Sequence, residues 1–580
     1  MRGHAYMRKD PNMNLPCFRC MLSTMCAFLL FVLYNIPHSH CSSKLETADL
    51  NVNHIPLDSK MTPTVQQKST RQERTNTVDG KVCFQDPNLH PEHYRYYFNR
   101  HPDEAEACRL DPTCPYKEYL DTSACWGYEE GCTRESMPGY PKVHKFHKSW
   151  FPSKEAQIKQ FWDDNDFGYI KKIVDDGWYP LCTPKTQNGS LLSCVDNTRS
   201  CYAKNLFLRV PDFEDHSKLR GRFDTEHFGS PGQIGGHCNL DKELLKKHSN
   251  HFSELQSWYG ELREFTALKA DPFVTSSCDV VIEGRAYLMK MDAGINMFHH
   301  FCDFVNLYIT QHLINDFSSN ITIVMWDMSN MRYVDFFEDT WAAFSDRPLA
   351  RLNHWSRKKV CFREVVFTLP PRMIRGFFYN MPVIPDTHGS RLMRSFSQHI
   401  LHRLGIKQKG PLKTGKVRVT ILDRKSVHRN IVNQEELVEA LREDPSYEVQ
   451  LVVYNHTLTF VQQLEITHNS DIFIGMHGAG LTHLLFLPDW ATIFEVCNCE
   501  DKHCYEDLAN LRGVHYVTWV NYSRLKKHNE VLHPSLKTYH PKFCDYSFEK
   551  AEFVRLVKKA HLYVRNHEKF KFEEALHDEL

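Results

Sequence analysis

The chain lacks net charge: 71 Lys and Arg balance 71 Asp and Glu across 580 residues, with a pI near 7.4. No basic stripe or polybasic run points to nucleic acid or an anionic membrane, so neither is an expected partner. Beyond the first 26 residues there is no CxxC; the single instance, Cys17-Phe-Arg-Cys20, precedes an apolar stretch. That absence argues against a thioredoxin-type oxidoreductase and against a ribbon-type zinc site, which needs repeated Cys or Cys/His pairs. No GxGxxG follows a strand, so a dinucleotide fingerprint is missing. The most apolar run, about Met21 to Ile36, falls short of the roughly 20 residues a membrane helix needs, and no fixed-period repeat is visible.

What is present at the two ends concerns address. Arg2, Arg8, Lys9 and Arg19 precede the apolar run, and small and polar residues from Ser39 to Ser43 follow it. This is the order of a signal peptide, expected over residues 1–43, with Met7 or Met13 as possible starts and an uncleaved signal anchor as the alternative. The chain closes on His577-Asp578-Glu579-Leu580, a receptor-read signal for retrieval to the endoplasmic reticulum. The expectation is an ER-luminal protein without stable membrane insertion, whose partner at that terminus is the HDEL retrieval receptor. Sixteen cysteines from Cys83 to Cys544 then read as a disulfide framework of undetermined connectivity. Asn188, Asn320, Asn455 and Asn521 each open an Asn-x-Ser/Thr sequon suited to the same compartment.

Composition (42% hydrophobic, 12% aromatic) indicates a globular protein of two or three domains. Residues 44–81 are polar and nearly free of aromatics, and read as a disordered stalk. Residues 82–277 mix cysteines, aromatics, Pro and Gly, and read as a Cys-rich, loop-rich, disulfide-braced region. From Cys278 short β-rich segments alternate with helical ones. Strands are expected at 278–283, 286–291, 321–326 and 360–369, with helices at 296–312, 336–344 and 391–404. The alternation restarts after residue 415, with strands at 416–422, 448–454, 471–474 and 491–496 and helices at 433–443, 459–468 and 480–487. Strands separated by helices of this length imply βαβ units and parallel sheets. The expected fold is α/β: a first Rossmann-like (acceptor) lobe over 278–405, a second (nucleotide-sugar) lobe over 406–545, and a C-terminal helix with the retrieval signal over 546–580. Two such lobes facing a cleft are a GT-B-like arrangement.

Two constellations carry chemistry. The first is Gly475-Met-His-Gly-Ala-Gly-Leu-Thr-His483, between a buried strand and a helix, where free backbone N–H groups and the dipole favour an anion. Gly475, Gly478, Ala479 and Gly480 let a phosphate approach, and His477 and His483 donate hydrogen bonds or charge. Tight packing is the plain alternative for the glycines. Arg424 should reach the same carboxyl edge of the sheet, where ligands of open α/β folds bind, and Glu495 is placed to accept two ribose hydroxyls. The second constellation is His299, His300, Asp303 and Asn306 on one helix. His299, Asp303 and Asn306 share a face at i, i+4, i+7. A His beside an Asp suits removal of a hydroxyl proton, so Asp303 paired with His299 is the expected base and His300 the expected structural histidine. A third metal ligand at close spacing is missing, so no metal site is assigned.

The stretches His299-His-Phe-Cys-Asp-Phe304, His468 to Pro488 and Arg512-Gly-Val-His-Tyr516 resemble glycosyltransferase family 61, specifically its members that modify EGF repeats. With the terminal HDEL and the segments Cys114-Pro-Tyr-Lys117, Cys125-Trp-Gly-Tyr128 and Gly235-Gly-His-Cys238, the likeness spans about Cys108 to Leu580. The resemblance implies protein O-GlcNAcylation: transfer of GlcNAc from UDP-GlcNAc to Ser or Thr of EGF-like repeats in Notch receptors and extracellular matrix proteins. The alternatives are sugar transfer to O-mannosylated proteins and a non-catalytic ER lectin or folding factor. The family can carry an Asp-x-Asp triplet where this chain has Asp346-Arg347-Pro348. With one Asp left and Arg347 adding a cation, no cofactor is expected beyond the UDP-GlcNAc donor, and a divalent cation such as Mn²⁺ is at most modulatory. Asp164-Asn165-Asp166 matches the triplet formally and is read as incidental.

Overall fold

The computed structural model describes residues 77–579 apart from 79–80, 83, 121, 138, 140, 196, 214–227, 229, 250–252, 328–333, 530 and 534–536. The expected signal peptide and nearly all of the stalk lie outside the described residues, as does Leu580 of the terminal tetrapeptide. His577 to Glu579 end a helix, Glu568–Glu579. No described helix is long and apolar enough to cross a membrane.

The fold is mixed α/β, built on two large sheets. The first has ten strands: β1 Tyr179–Pro184, β2 Leu191–Val195, β3 Ser200–Arg209, β4 Ile234–Gly236, β5 Cys238–Leu240, β6 Thr266–Ala267, β7 Val280–Met289, β8 Thr322–Met325, β9 Ala350–Arg351 and β10 Lys359–Phe367. Its order is β9-β8-β7-β10-β3-β2-β1-β5, with β4 between β3 and β6. Strands β9, β8, β7 and β10 are parallel; β10 then pairs antiparallel with β3. The region read from sequence as loop-rich thus supplies the antiparallel half of this sheet. Its strands escaped periodicity because cysteines, polar residues and Gly interrupt them; β1, β2 and β3 pair as local hairpins, while β1–β5 and β3–β10 pair across long separations. Disulfides Cys182–Cys238, Cys194–Cys201 and Cys278–Cys361 brace the same sheet, while Cys108–Cys114 and Cys125–Cys132 staple the preceding loops.

The second sheet is all parallel: β11 Val417–Leu422, β12 Tyr447–Val452, β13 Ile472–Gly475, β14 Thr492–Glu495 and β15 His515–Thr518, in the order β12-β11-β13-β14-β15. β11 and β13 are buried almost throughout, which is why they read as continuous apolar runs. At the amino end of this pair the Asp471 carboxylate accepts the Arg418 backbone N–H and Nε and Nη2, plus Trp490 Nε1 at 2.9 Å, locking β11 to β13.

Helix α1, Met297–Ile314, follows β7 and is capped by Asn296, whose side chain accepts from Phe298 N. Fifteen of its 18 residues are buried, so it is a core helix wrapped on all sides rather than an amphipathic surface one. Helix α2, Arg391–Arg403, begins at the Ser390 cap and runs under both sheets. Its Arg394 and Arg512 share the Asp489 carboxylate, at 2.8 and 2.9 Å. Phe301 of α1 meets Phe396 of α2 and both Phe460 and Phe486 of the second α/β unit. One core therefore joins the two sheets.

Candidate functional site

Each sheet has one place where the chain reverses its direction of winding, and ligands of open α/β sheets bind in the crevice at the carboxyl ends of the strands there. In the second sheet this switch point lies between β11 and β13. Arg424, two residues past β11, lies over the turn that follows β13: Nη1 donates to the His477 carbonyl at 3.3 Å, and Nε to Ser426 Oγ at 2.9 Å. Gly478 makes this possible. Its φ is 155°, and a Cβ there would sit 2.0 Å from Arg424 Nη1. The other two glycines serve packing: a Cβ on Gly475 would press on Leu481, and one on Gly480 on Leu422. Ala479 begins the 3₁₀ turn Ala479–Phe486, whose first N–H groups have no partner within the turn.

A second arginine, which sequence reasoning missed, joins the first. Arg429 Nη1 donates to the same His477 carbonyl at 2.9 Å, from a residue held at φ 65°. Among the described residues neither guanidinium meets a carboxylate. Burial and the neighbouring Arg429 lower Arg424 to a pKa of about 10, so it stays charged at neutral pH. Two cations on one carbonyl, with Arg429 Nε buried and unpartnered, are what an anion site looks like before the anion arrives. The repeated arginines of Asp423-Arg-Lys-Ser-Val-His-Arg429 were the available sequence signal.

The histidines sort differently from expectation. His477 Nδ1 lies 2.7 Å from Glu495 Oε1, and Glu495 Oε2 accepts the Tyr516 hydroxyl at 2.5 Å. Glu495 is fully buried with both oxygens engaged, so the expected ribose contact is corrected: the carboxylate orients His477 instead. Burial, with Lys542, Arg429 and Arg424 nearby, holds His477 well below the ordinary imidazole range, so it is a neutral hydrogen-bonding group. His483 points away from the turn, its Nδ1 on the Gly480 carbonyl at 2.9 Å and its ring among Tyr454, Phe460 and Phe473. Burial lowers its pKa to about 4, which removes the charge expected of it.

The first sheet's switch point lies between β7 and β10, and the second constellation opens there. Asp292 follows β7; Arg372 follows β10 and grips it with Nε at 2.6 Å and Nη2 at 2.5 Å. His299, in the first turn of α1, brings Nδ1 to 2.9 Å from Asp292 Oδ2, with the carboxylate off the axis of the ring N–H. Burial opposes the Asp292 charge, but His299 and Arg372 outweigh it and hold the pKa at about 2.

The expected Asp303–His299 pair is therefore corrected. Asp303 accepts instead from His300 Nδ1 at 3.0 Å and from Asp292 N, and His300 Nε2 lies 3.1 Å from Asp335. The reason is depth along a fully packed helix: His299 lies in its partly exposed first turn, whereas Asp303, one turn on, is sealed beneath the backbone that follows β7 and accepts from Asp292 N. Asp303 and His300 side chains are both 0% exposed, against 17% for His299. Asn306 is likewise buried, donating to the Pro370 carbonyl.

Asp346 is corrected too. Its backbone N–H donates to the Ser319 carbonyl and its carboxylate accepts from Ser319 Oγ, at the amino end of β8. Arg347 binds Asn320 Oδ1 at that same end. The position that corresponds to the family's triplet thus lies at the edge of the first sheet opposite its switch point. Asp166 caps the helix Phe167–Asp176 and accepts from Leu392 N, a structural role. Among the described residues, Cys125, Glu129 and Cys132 are the one group spaced for a metal, and the two cysteines are disulfide-bonded. Asn188, Asn320, Asn455 and Asn521 are all exposed in loops.

The two switch points meet. Phe298 of α1 packs on Tyr505, at 6.0 Å between rings, and Tyr505 packs on His477 at 5.2 Å. Tyr505 belongs to the helix Cys504–Arg512, also unread from sequence. An arginine pair and a His/Asp/Arg cluster are thus linked through Phe298 and Tyr505, the equipment for moving a group off a phosphate onto a hydroxyl.

Known proteins resemble this chain in sequence. Residues 310–494 fit the family model described as Glycosyltransferase 61. The chain is 46% identical over 510 residues to the EGF domain-specific O-linked N-acetylglucosamine transferase of Pan troglodytes, spanning 87% of this chain and 95% of that protein. The protein of the same name from Canis lupus familiaris is 48% identical over 494 residues (85% and 92%), and that from Drosophila melanogaster 42% over 498 (85% and 93%).

Proposed function

This chain belongs to the EGF domain-specific O-linked N-acetylglucosamine transferases of glycosyltransferase family 61, and from that membership we propose that it transfers GlcNAc from UDP-GlcNAc to Ser or Thr hydroxyls of EGF-like repeats in the ER lumen. The observation that carries the donor half is the convergence of Arg424 and Arg429 on the His477 carbonyl at the second switch point. A diphosphate placed there meets two guanidiniums and the first N–H groups of the 3₁₀ turn. These cations neutralise the charge that develops on the leaving UDP, and Mn²⁺ has at most a modulatory part. His477, oriented by Glu495, donates or accepts one further hydrogen bond without changing charge.

The acceptor reading rests on the relatives' specificity, with Notch receptors and matrix proteins as the expected partners. The luminal reading rests on five disulfides and on the terminal His-Asp-Glu-Leu, through which the HDEL receptor retrieves the chain. The decisive assay is transfer of tritiated GlcNAc from its UDP ester to a folded EGF repeat by the purified chain. Label on the repeat is expected; label on free sugar alone, or none, would refute the function. Deletion of His577–Leu580 should send active enzyme into the medium, and equal secretion of both forms would refute retrieval.

A further inference from the structure

The donor site leaves unassigned the group that takes the acceptor's proton, and the first switch point supplies it. Five carboxylates and imidazoles there can hold a proton: Asp292, His299, His300, Asp303 and Asp335. Asp335 is enclosed, accepting from Trp341 Nε1 and pairing with His300. Asp303 and His300 are sealed at 0% exposure, bonded to each other and to Asp335. Asp292 is 4% exposed and both its oxygens are held by Arg372. His299 alone is reachable from the crevice, and its Nδ1 faces Asp292. With Nδ1 directed at a fixed carboxylate, the proton-bearing nitrogen is set and Nε2 is left with a lone pair. The His299 ring is backed by Tyr379, beyond a loop that holds Phe378 at φ 70° and Asn380 at φ 57°. Left-handed backbone at a bulky residue is costly and persists where surrounding structure imposes it, typically at functional sites.

We propose that His299 is the catalytic base, with Asp292, clamped by Arg372, as its positioning residue. This deepens the transferase reading and rests on it. A lone pair of the acceptor hydroxyl oxygen forms the bond to the anomeric carbon as the bond from that carbon to the β-phosphate oxygen breaks. Its electron pair leaves on UDP, against Arg424 and Arg429, and the hydroxyl proton passes to His299 Nε2 and then to solvent. Asp292 stays ionised throughout and stabilises the imidazolium, as a carboxylate behind a catalytic histidine does. The off-axis contact seen without substrates is the ordinary state of such a pair before the site is filled.

The test uses the full chain, tritiated UDP-GlcNAc and a folded EGF repeat. His299→Gln should lose about 10²-fold or more in kcat while keeping UDP affinity and melting temperature. Asp292→Asn should lose a comparable factor, and the double variant little beyond either. Added imidazole should restore part of the rate to His299→Gly. Both single losses should fall on kcat and leave KM for UDP-GlcNAc unchanged. A folded His299→Gln variant that transfers sugar within about threefold of wild type, or a His299→Gly variant that imidazole does not rescue, overturns the assignment while leaving the function intact. Failure of wild type to transfer any sugar would instead overturn the function and this step with it.

Discussion

The two switch points occupy equivalent positions in two runs of parallel strands, yet their electrostatics are opposite. Beyond β11 and β13 stand Arg424 and Arg429, sharing one carbonyl and meeting no carboxylate among the described residues. Beyond β7 and β10 stand Asp292, Asp303 and, close by, Asp335, with Arg372 and two histidines between them. A departing diphosphate needs a standing excess of positive charge; a proton acceptor needs standing negative charge behind an imidazole. One site cannot offer both, and the fold separates them by about the width of an aromatic ring pair, Phe298 and Tyr505. Predictions that discharge one side should leave the other intact.

The largest expected effect is on the cationic side. Gly478→Val places a branched side chain where Arg424 Nη1 now lies, at a φ that L-residues rarely adopt. We expect UDP affinity to fall beyond the reach of an ordinary titration, a loss of more than about 3 kcal/mol, roughly a charge-assisted hydrogen bond plus strain. Isothermal titration with UDP checks it. Unchanged affinity in a folded variant would place the diphosphate elsewhere. Next come Arg424→Ala and Arg429→Ala, each costing about 1–3 kcal/mol of UDP binding. Because the two guanidiniums share one carbonyl and one anion, the double variant should depart from additivity, whereas neither single change should alter the kcat loss caused by His299→Gln when the two are combined. If either does, the two sides are not separable.

The second sheet was legible nearly strand for strand. Its central strands β11, β13 and β14 are buried on both faces, helical segments follow them, and Val417–Leu422 and Ile472–Gly475 read as apolar runs bounded by polar turns. The antiparallel half of the first sheet was not. Some of its strands pair across long separations, β10 with β3 and β1 with β5, and no local period records that. The site divided along the same line. Arg424 and Gly478 each directly follow a buried strand that was legible as an apolar run, and were found from it. Asp292, Arg372 and Arg429 act through partners brought by other strands, so the helix spacing of His299 and Asp303 suggested a pair that tertiary packing separates. Glycine counts also misled in part: Gly475 and Gly480 are packing glycines, and Gly478 alone is held open for the arginine.

The smallest expected effect tests whether the buried carboxylates of the first switch point are structural, as their enclosure implies. Burial opposes the His300 charge, but hydrogen bonds to Asp303 and Asp335 outweigh it and raise its pKa to about 9. A histidine whose folded pKa lies above its ordinary 6.5 adds stability in full below about pH 6.5 and loses it as pH rises through about 9. Asp303 works the other way. Burial raises it to about 6, which costs stability between pH 4 and 6 and then stays constant. Between pH 6.5 and 9 His300 therefore governs, and the melting temperature should decline over that window by the equivalent of about 1–2 kcal/mol. His300→Gln keeps hydrogen-bonding capacity without the charge, so it should melt lower at pH 6 and show a nearly flat profile up to pH 9. UDP affinity should hold across the same window in both proteins, because Arg424 does not discharge until about pH 10. A decline in stability that persists in His300→Gln would assign the titration to another group. A matching decline in UDP affinity would mean that the two sides of the crevice share a charge after all.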